Sequence, residues 1–272
     1  MYRRVVILVV SIVVLWGNSA VAAVYPPQVD AEAAVLMVAT TKEVLFEKRP
    51  NGIMYPASTT KIVTLLTALE KGNSNSIVTV SPHAAECEGS SLELQAGDRL
   101  ELREAMYGMM LVSGNDAAEA IAENVAGSVP TFVDMMNVQG EKAGAMNTHF
   151  SNPHGLPDPF NHFTTAYDLA LITAYAMQKP EFVDVVSRRD YSVHFLNRSN
   201  TYVNNTNKLL RTYPDANGVK TGYTNDAGEC LVASAKRGGI QLIVILFNSE
   251  HRWKDATLLL DYGFQQVGIK QM

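Results

Sequence analysis

Apolar residues gather in short strand-length runs towards both ends of the chain and recur at helical spacing between them. Residues 34–39 and 44–48 read as two strands joined by the polar turn Thr40-Thr41-Lys42. A helix is predicted to open near Ser58, with Ile62, Leu65, Leu66 and Leu69 on one face and Gly72 as its stop. Further helices are predicted over 102–112, 116–125, 131–143 and 165–177. Between the last two lies an irregular stretch, 147–164, containing Pro153, Gly155, Pro157 and Pro159. Structureless segments of that length inside a compact domain tend to be functional.

Strands return near the C-terminus, where 230–235 and 241–247 flank the turn signal Gly238-Gly239. Residues 242–247 are continuously apolar, which predicts a strand covered on both faces. A last helix is predicted over 253–262. Strands from both ends with helices between imply an α/β (α+β) fold: one antiparallel sheet built by both termini, flanked by helices, beside an inserted helical lobe.

The first residues have a different character. Arg3 and Arg4 precede an apolar run from Val5 to Trp16, followed by Ala20, Ala22 and Ala23. This is the pattern of a cleavable export signal, with the cut after Ala22 or after Ala23. The apolar run holds 12 residues, short of the roughly 20 that a membrane span needs. The expected organisation is a signal peptide over 1–22 and a single domain over 23–272, exported out of the cytoplasm.

Composition narrows the function. The chain is 47% hydrophobic and 18% charged, with a formal charge of −5 and no basic stripe. That argues against a nucleic-acid partner, which would require clustered Lys and Arg. Cys87 and Cys230 are too far apart in sequence to suggest a metal site, so neither a metal nor an organic cofactor is expected. Export would permit a disulfide between them, and spacing leaves that open.

Three short motifs carry chemistry. In Ser58-Thr59-Thr60-Lys61, helical spacing brings hydroxyl and amine onto one face. A serine needs an adjacent base to become a nucleophile, and lysine serves only when burial or a nearby cation keeps it neutral. The plain alternative is an N-cap serine followed by a solvated lysine. Ser113-Gly114-Asn115 could relay a proton and bind a substrate amide, or simply make an interhelix turn. Lys220-Thr221-Gly222 on a late strand would suit a substrate carboxylate, although such a tripeptide arises by chance in roughly one chain in twenty of this length. Each motif alone is weak; their order and structural contexts together form the set shared by class A β-lactamases and penicillin-binding proteins.

With these motifs and the segments 55–61, 89–91, 112–118, 152–156, 217–222 and 260–264, the chain resembles the serine D-Ala-D-Ala carboxypeptidases among the low-molecular-mass penicillin-binding proteins. The resemblance spans about residues 25–265. It implies Ser58 as nucleophile, Lys61 as base and Ser113 as proton relay. Asn115, Lys220, Thr221, Gly222 and Tyr223 would bind substrate, with backbone N–H groups of Ser58 and Tyr223 forming the oxyanion hole. The implied partners are peptidoglycan stem peptides ending in D-Ala-D-Ala, with β-lactams as covalent inhibitors. Two departures stand out. Tyr223 replaces the histidine that many members carry after K-T-G, and neither the C-terminal β-rich domain nor the amphipathic anchor of many members is expected here.

The rivals are a β-lactamase, an endopeptidase of the same family, a non-catalytic sensor of wall peptides and an esterase or amidase. Segment 147–164 lacks the glutamate a class A lactamase would use. A sensor is disfavoured because Ser58 and Lys61 are both present. His154, His162 and Asp168 read as residues that order the irregular segment, and Tyr107, Met109 and Met110 as core.

Overall fold

The computed structural model describes residues 25–268; the expected signal peptide lies outside them. In chain order, β1 (Ala33–Val38) and β2 (Val44–Lys48) precede a short 3-10 turn (Ala57–Thr60) and α1 (Lys61–Lys71). Then come β3 (Ile77–Thr79), α2 (Pro82–Ala85), β4 (Arg99–Glu101), α3 (Leu102–Leu111), α4 (Asn115–Ala126), α5 (Val129–Ala143) and α6 (Ala166–Ala176). The chain continues through α7 (Pro180–Ser187), β5 (Asp190–Val193), β6 (Thr201–Asn204) and α8 (Leu209–Thr212). It ends with β7 (Ala216–Thr224), β8 (Gly228–Arg237), β9 (Ile240–Phe247) and α9 (Arg252–Gln266).

The main sheet has the order β2-β1-β9-β8-β7, with antiparallel neighbours throughout. Both chain ends build it, as the apolar pattern predicts. Strand β9 is central, and strand periodicity splits its side chains between two cores. Ile243, Ile245 and Phe247 face the core shared with the helical lobe. Leu242, Val244 and Leu246 face Ala256, Leu259, Leu260 and Phe264 of α9. Each such fully buried aliphatic contributes about 1.5–3 kcal/mol. The turn at Gly238 and Gly239 has both residues at positive φ, 56° and 83°, the backbone that two-residue hairpins favour.

Helix α6 is apolar all round and almost wholly buried, as expected of a helix packed on every side. It joins the lobe to the sheet. Gly72 does stop α1, but from an extended backbone with φ −92°. A side chain there would meet Leu102 Cδ2 at 2.5 Å and Ala68 O at 2.8 Å, so space is what glycine supplies. Hairpin β5–β6 and helix α7 were not among the predicted elements. Both are short, and their register depends on neighbours distant in sequence.

Candidate active site

Ser58 stands in the 3-10 turn ahead of α1, where an α-helical start is predicted. Ala57 before it takes φ +47°, a left-handed backbone that costs a non-glycine residue about 1–3 kcal/mol and concentrates at functional sites. Two glycines lie against this turn. At Gly155, φ is +95° and an added Cβ would lie 1.9 Å from Ala57 O. At Gly222 on β7, an added Cβ would sit 3.2 Å from Ser58 N and 3.1 Å from Ala57 Cβ. The irregular segment and the edge strand therefore both reach the Ser58 turn through backbone.

Lys61 is fully buried, and its Nζ has three partners. They are Ser58 Oγ at 3.2 Å, Asn115 Oδ1 at 2.6 Å and His154 O at 2.8 Å. Burial, reinforced by the positive charge of Lys220, drives its pKa well below the ordinary lysine value. Lys220 is buried too, with Nζ 3.0 Å from Thr221 O. Burial and the neighbouring Arg252 lower its pKa to about 7.

The second motif sits above Lys61. Ser113 is buried at φ +66° between α3 and α4. Asn115 opens α4, and its Nδ2 donates to Glu88 O at 2.6 Å. Asp116 accepts from the backbone N–H groups of Leu92 and Leu94 and from Ser91 Oγ. It thereby anchors the loop that presents Ser90.

Ser58, Ser90, Ser113, Thr206, Lys208, Thr221, Gly222, Tyr223, Arg252 and Trp253 line a cleft of about 270 Å³. Lys61, Asn115 and Lys220 lie beneath this lining. A larger hollow of about 380 Å³, lined in part by Leu69, Met106, Tyr107 and Asp184, contains none of the motif residues. Chemistry rather than size selects the smaller cleft.

Sequence reasoning missed Arg252, Thr206, Lys208 and Trp253. Arg252 reaches from the start of α9, its Nη1 donating to Gly222 O at 2.9 Å and Cys230 O at 3.1 Å. Thr206 Oγ1 lies 2.7 Å from Thr221 Oγ1. No local pattern marks either residue; only the fold brings them to the cleft.

The histidines behave as scaffold. His162 Nδ1 accepts from Ser151 N at 3.0 Å, and its Nε2 is 2.8 Å from Thr60 Oγ1. Asp168 accepts from Asn147 N at 2.6 Å and Thr148 Oγ1 at 2.9 Å. Tyr107, Met109 and Met110 are core. Cys87 and Cys230 are free thiols, so the disulfide left open by spacing does not form.

The chain resembles known proteins over most of its length. A family model described as D-alanyl-D-alanine carboxypeptidase (Peptidase_S11) matches residues 20–251. DacF of Bacillus subtilis (strain 168), named a D-alanyl-D-alanine carboxypeptidase, is 36% identical over 87% of this chain. The chain spans 63% of that relative's length. A D-alanyl-D-alanine carboxypeptidase of Streptomyces sp. (strain K15) is 32% identical, with 91% of this chain and 92% of the relative covered. The crystal structure of the Streptomyces K15 DD-transpeptidase superposes with a TM-score of 0.84 at 31% identity, covering 89% of this chain and 100% of that one. By the family match, by these relatives and by its sheet flanked with helices, the chain belongs to the D-alanyl-D-alanine carboxypeptidase family, Peptidase_S11.

Proposed function

We propose that this chain is a serine D-alanyl-D-alanine carboxypeptidase that removes the terminal D-alanine from peptidoglycan stem pentapeptides through an acyl-enzyme on Ser58. The observation that carries this reading is the set of three partners around buried Lys61 Nζ. A neutral amine has two N–H donors and one lone pair. Asn115 Oδ1 and the His154 carbonyl can only accept, so they take the two N–H groups. The lone pair is left for Ser58 Oγ–H.

Neutral Lys61 takes the Ser58 proton as Oγ bonds to the carbonyl carbon between the two D-alanines. The carbonyl π electrons move to oxygen, and the backbone N–H groups of Ser58 and Tyr223 stabilise the oxyanion. Ser113 passes a proton to the amide nitrogen as the C–N bond breaks and D-alanine leaves. Water then attacks the Ser58 ester, and Oγ regains its proton. Asn115 steadies the substrate amide. The Thr221 hydroxyl, backed by the charges of Lys220 and Arg252, receives the terminal carboxylate. β-Lactams acylate the same hydroxyl.

The proposal includes export by the signal over 1–22, with action in the extracytoplasmic wall space. Among the described residues, no helix is long and apolar enough to cross a membrane.

The test is D-alanine release from a diacyl-L-Lys-D-Ala-D-Ala peptide by wild type and Ser58→Ala. Release that disappears in the variant supports the reading; no release by folded wild type overturns it.

A further inference from the structure

The cleft beside Ser58 is cationic in an acidic chain. Of the described residues that line it, Lys208 and Arg252 are basic and none is acidic, whereas the whole chain has a formal charge of −5. The two cations differ in how far they are already committed. Arg252 donates to Gly222 O and Cys230 O, and its Nε pairs with Glu229 at 3.2 Å. Lys208 is exposed, and among the described residues it makes no salt bridge. Its Nζ stands 5.8 Å from the centroid of the Trp253 ring.

Lys208 flanks the corner that receives the terminal carboxylate in the proposed reaction. Thr206 Oγ1 is 2.7 Å from Thr221 Oγ1, and Lys208 follows two residues later on the same segment. Asn205 and Asn207 of that segment are buried, while Thr206 and Lys208 are exposed and both line the cleft. From the other side, Arg252 reaches the carbonyl of Gly222, the residue after Thr221. Trp253 comes next on α9, with the Arg252 guanidinium carbon 4.9 Å from its ring centroid. Lys208 and Trp253 therefore meet beside that corner, one carried in by each of its two walls.

A terminal amino acid bears its carboxylate and its side chain on the same Cα. A carboxylate received at Thr221 thus brings the side chain towards the residues that flank the corner. The methyl group of D-alanine leaves an ammonium there unused. An unpaired ammonium beside an aromatic face suits a side chain with a short apolar stem and an anionic end.

We propose that Lys208, set against Trp253, selects the leaving residue by charge and favours a terminal D-residue with an acidic side chain, D-glutamate, over one with a basic side chain. The inference rests on the carboxypeptidase reading and adds a substrate preference to it. The bond chemistry is the same: the amide C–N bond breaks, its nitrogen takes a proton, and the D-amino acid leaves.

The test is release of the terminal residue from diacyl-L-Lys-D-Ala-D-Glu and diacyl-L-Lys-D-Ala-D-Lys, both α-linked, with the D-Ala-D-Ala peptide as reference. For wild type, kcat/KM should favour D-glutamate over D-lysine by roughly fivefold or more, and the ratio should shrink as salt is raised. Lys208→Gln should bring the ratio towards one, and Lys208→Glu should reverse it. Each ratio is taken on a single protein, so a loss of folded fraction or of overall rate cancels. A wild-type ratio near one, or a ratio unchanged in Lys208→Glu, would overturn the inference while D-alanine release leaves the carboxypeptidase reading standing. No release from any of the three peptides by folded wild type would overturn that reading and this inference with it.

Discussion

Lys61 Nζ lies 3.2 Å from Ser58 Oγ, and of its three partners Ser58 is the only one that can donate a proton. Position and basicity thus derive from one arrangement: two carbonyl acceptors aim the amine, while burial and Lys220 push its pKa well below the ordinary lysine value. A lysine solvated beside an N-cap serine, the plain reading of the motif, would have neither property.

Lys61→Arg separates charge from basicity. Arginine keeps the cation and its hydrogen bonds but cannot deprotonate at working pH. Loss of a general base costs about 10²–10⁴-fold, so acylation by a fluorescent penicillin should fall by that order in Lys61→Arg and Lys61→Met alike. Substantial acylation by Lys61→Arg would show that Lys61 acts as a charge and that another group takes the proton.

In the proposed mechanism the pH profile is set by two lysines with opposite requirements. Lys61 works when neutral, so kcat/KM rises as pH climbs through its lowered pKa. Lys220 works when charged, so kcat/KM falls as pH passes about 7, where it loses its proton. In Lys220→Arg the charge persists, and the alkaline limb should flatten even if the maximum is lower. An alkaline limb unchanged in that variant would assign it to some other group.

How much of this was legible beforehand differed from residue to residue. Ser58, Lys61, Ser113, Asn115, Lys220 and Thr221 all occur in short motifs, and the long apolar runs located β9, α3, α4 and α6 to within a residue or two. Arg252 was invisible because its role depends on α9 packing against β8 and β9, which no local periodicity encodes. The strained backbones at Ala57 and Ser113 were equally hidden, since left-handed φ at a non-glycine residue is imposed by tertiary packing. Gly155 could be seen as a glycine in a loop, but not as the residue lying against the Ala57 carbonyl.

Gly222→Ala tests how tightly strand β7 must approach Ser58, the proposed nucleophile. The new Cβ would meet Ser58 N at 3.2 Å and Pro56 O at 3.2 Å, contacts relieved by a shift of a few tenths of an ångström. Such a shift leaves the cores intact, so the melting temperature should change little. Misplacement on the order of 1 Å can cost about 10²-fold in rate, and a smaller shift should lower kcat by about tenfold. A kcat equal to wild type would mean that the turn around Ser58 yields without consequence.

Lys220→Met should make the protein more stable and less useful. The ammonium is buried with a single acceptor, Thr221 O, for its three donors. The folded pKa is about 7 against an ordinary value of 10.5. Between those pH values the unfolded chain holds the proton and the folded chain does not, so wild-type stability rises with pH across that window. Below about pH 7 both states are charged and the folded protein bears the full cost of burial. Methionine fills similar volume without the charge. It should therefore add about 1–2 kcal/mol at pH 6, or roughly 2–4 °C per kcal/mol in melting temperature, with the gain abolished or reversed near pH 9, where the wild type has recovered about 1.4 kcal/mol per pH unit above pH 7. Thermal unfolding at the two pH values, beside D-alanine release, checks both halves. A variant less stable than wild type at pH 6 would mean that Lys220 holds β7 in place as well as supplying charge to the cleft.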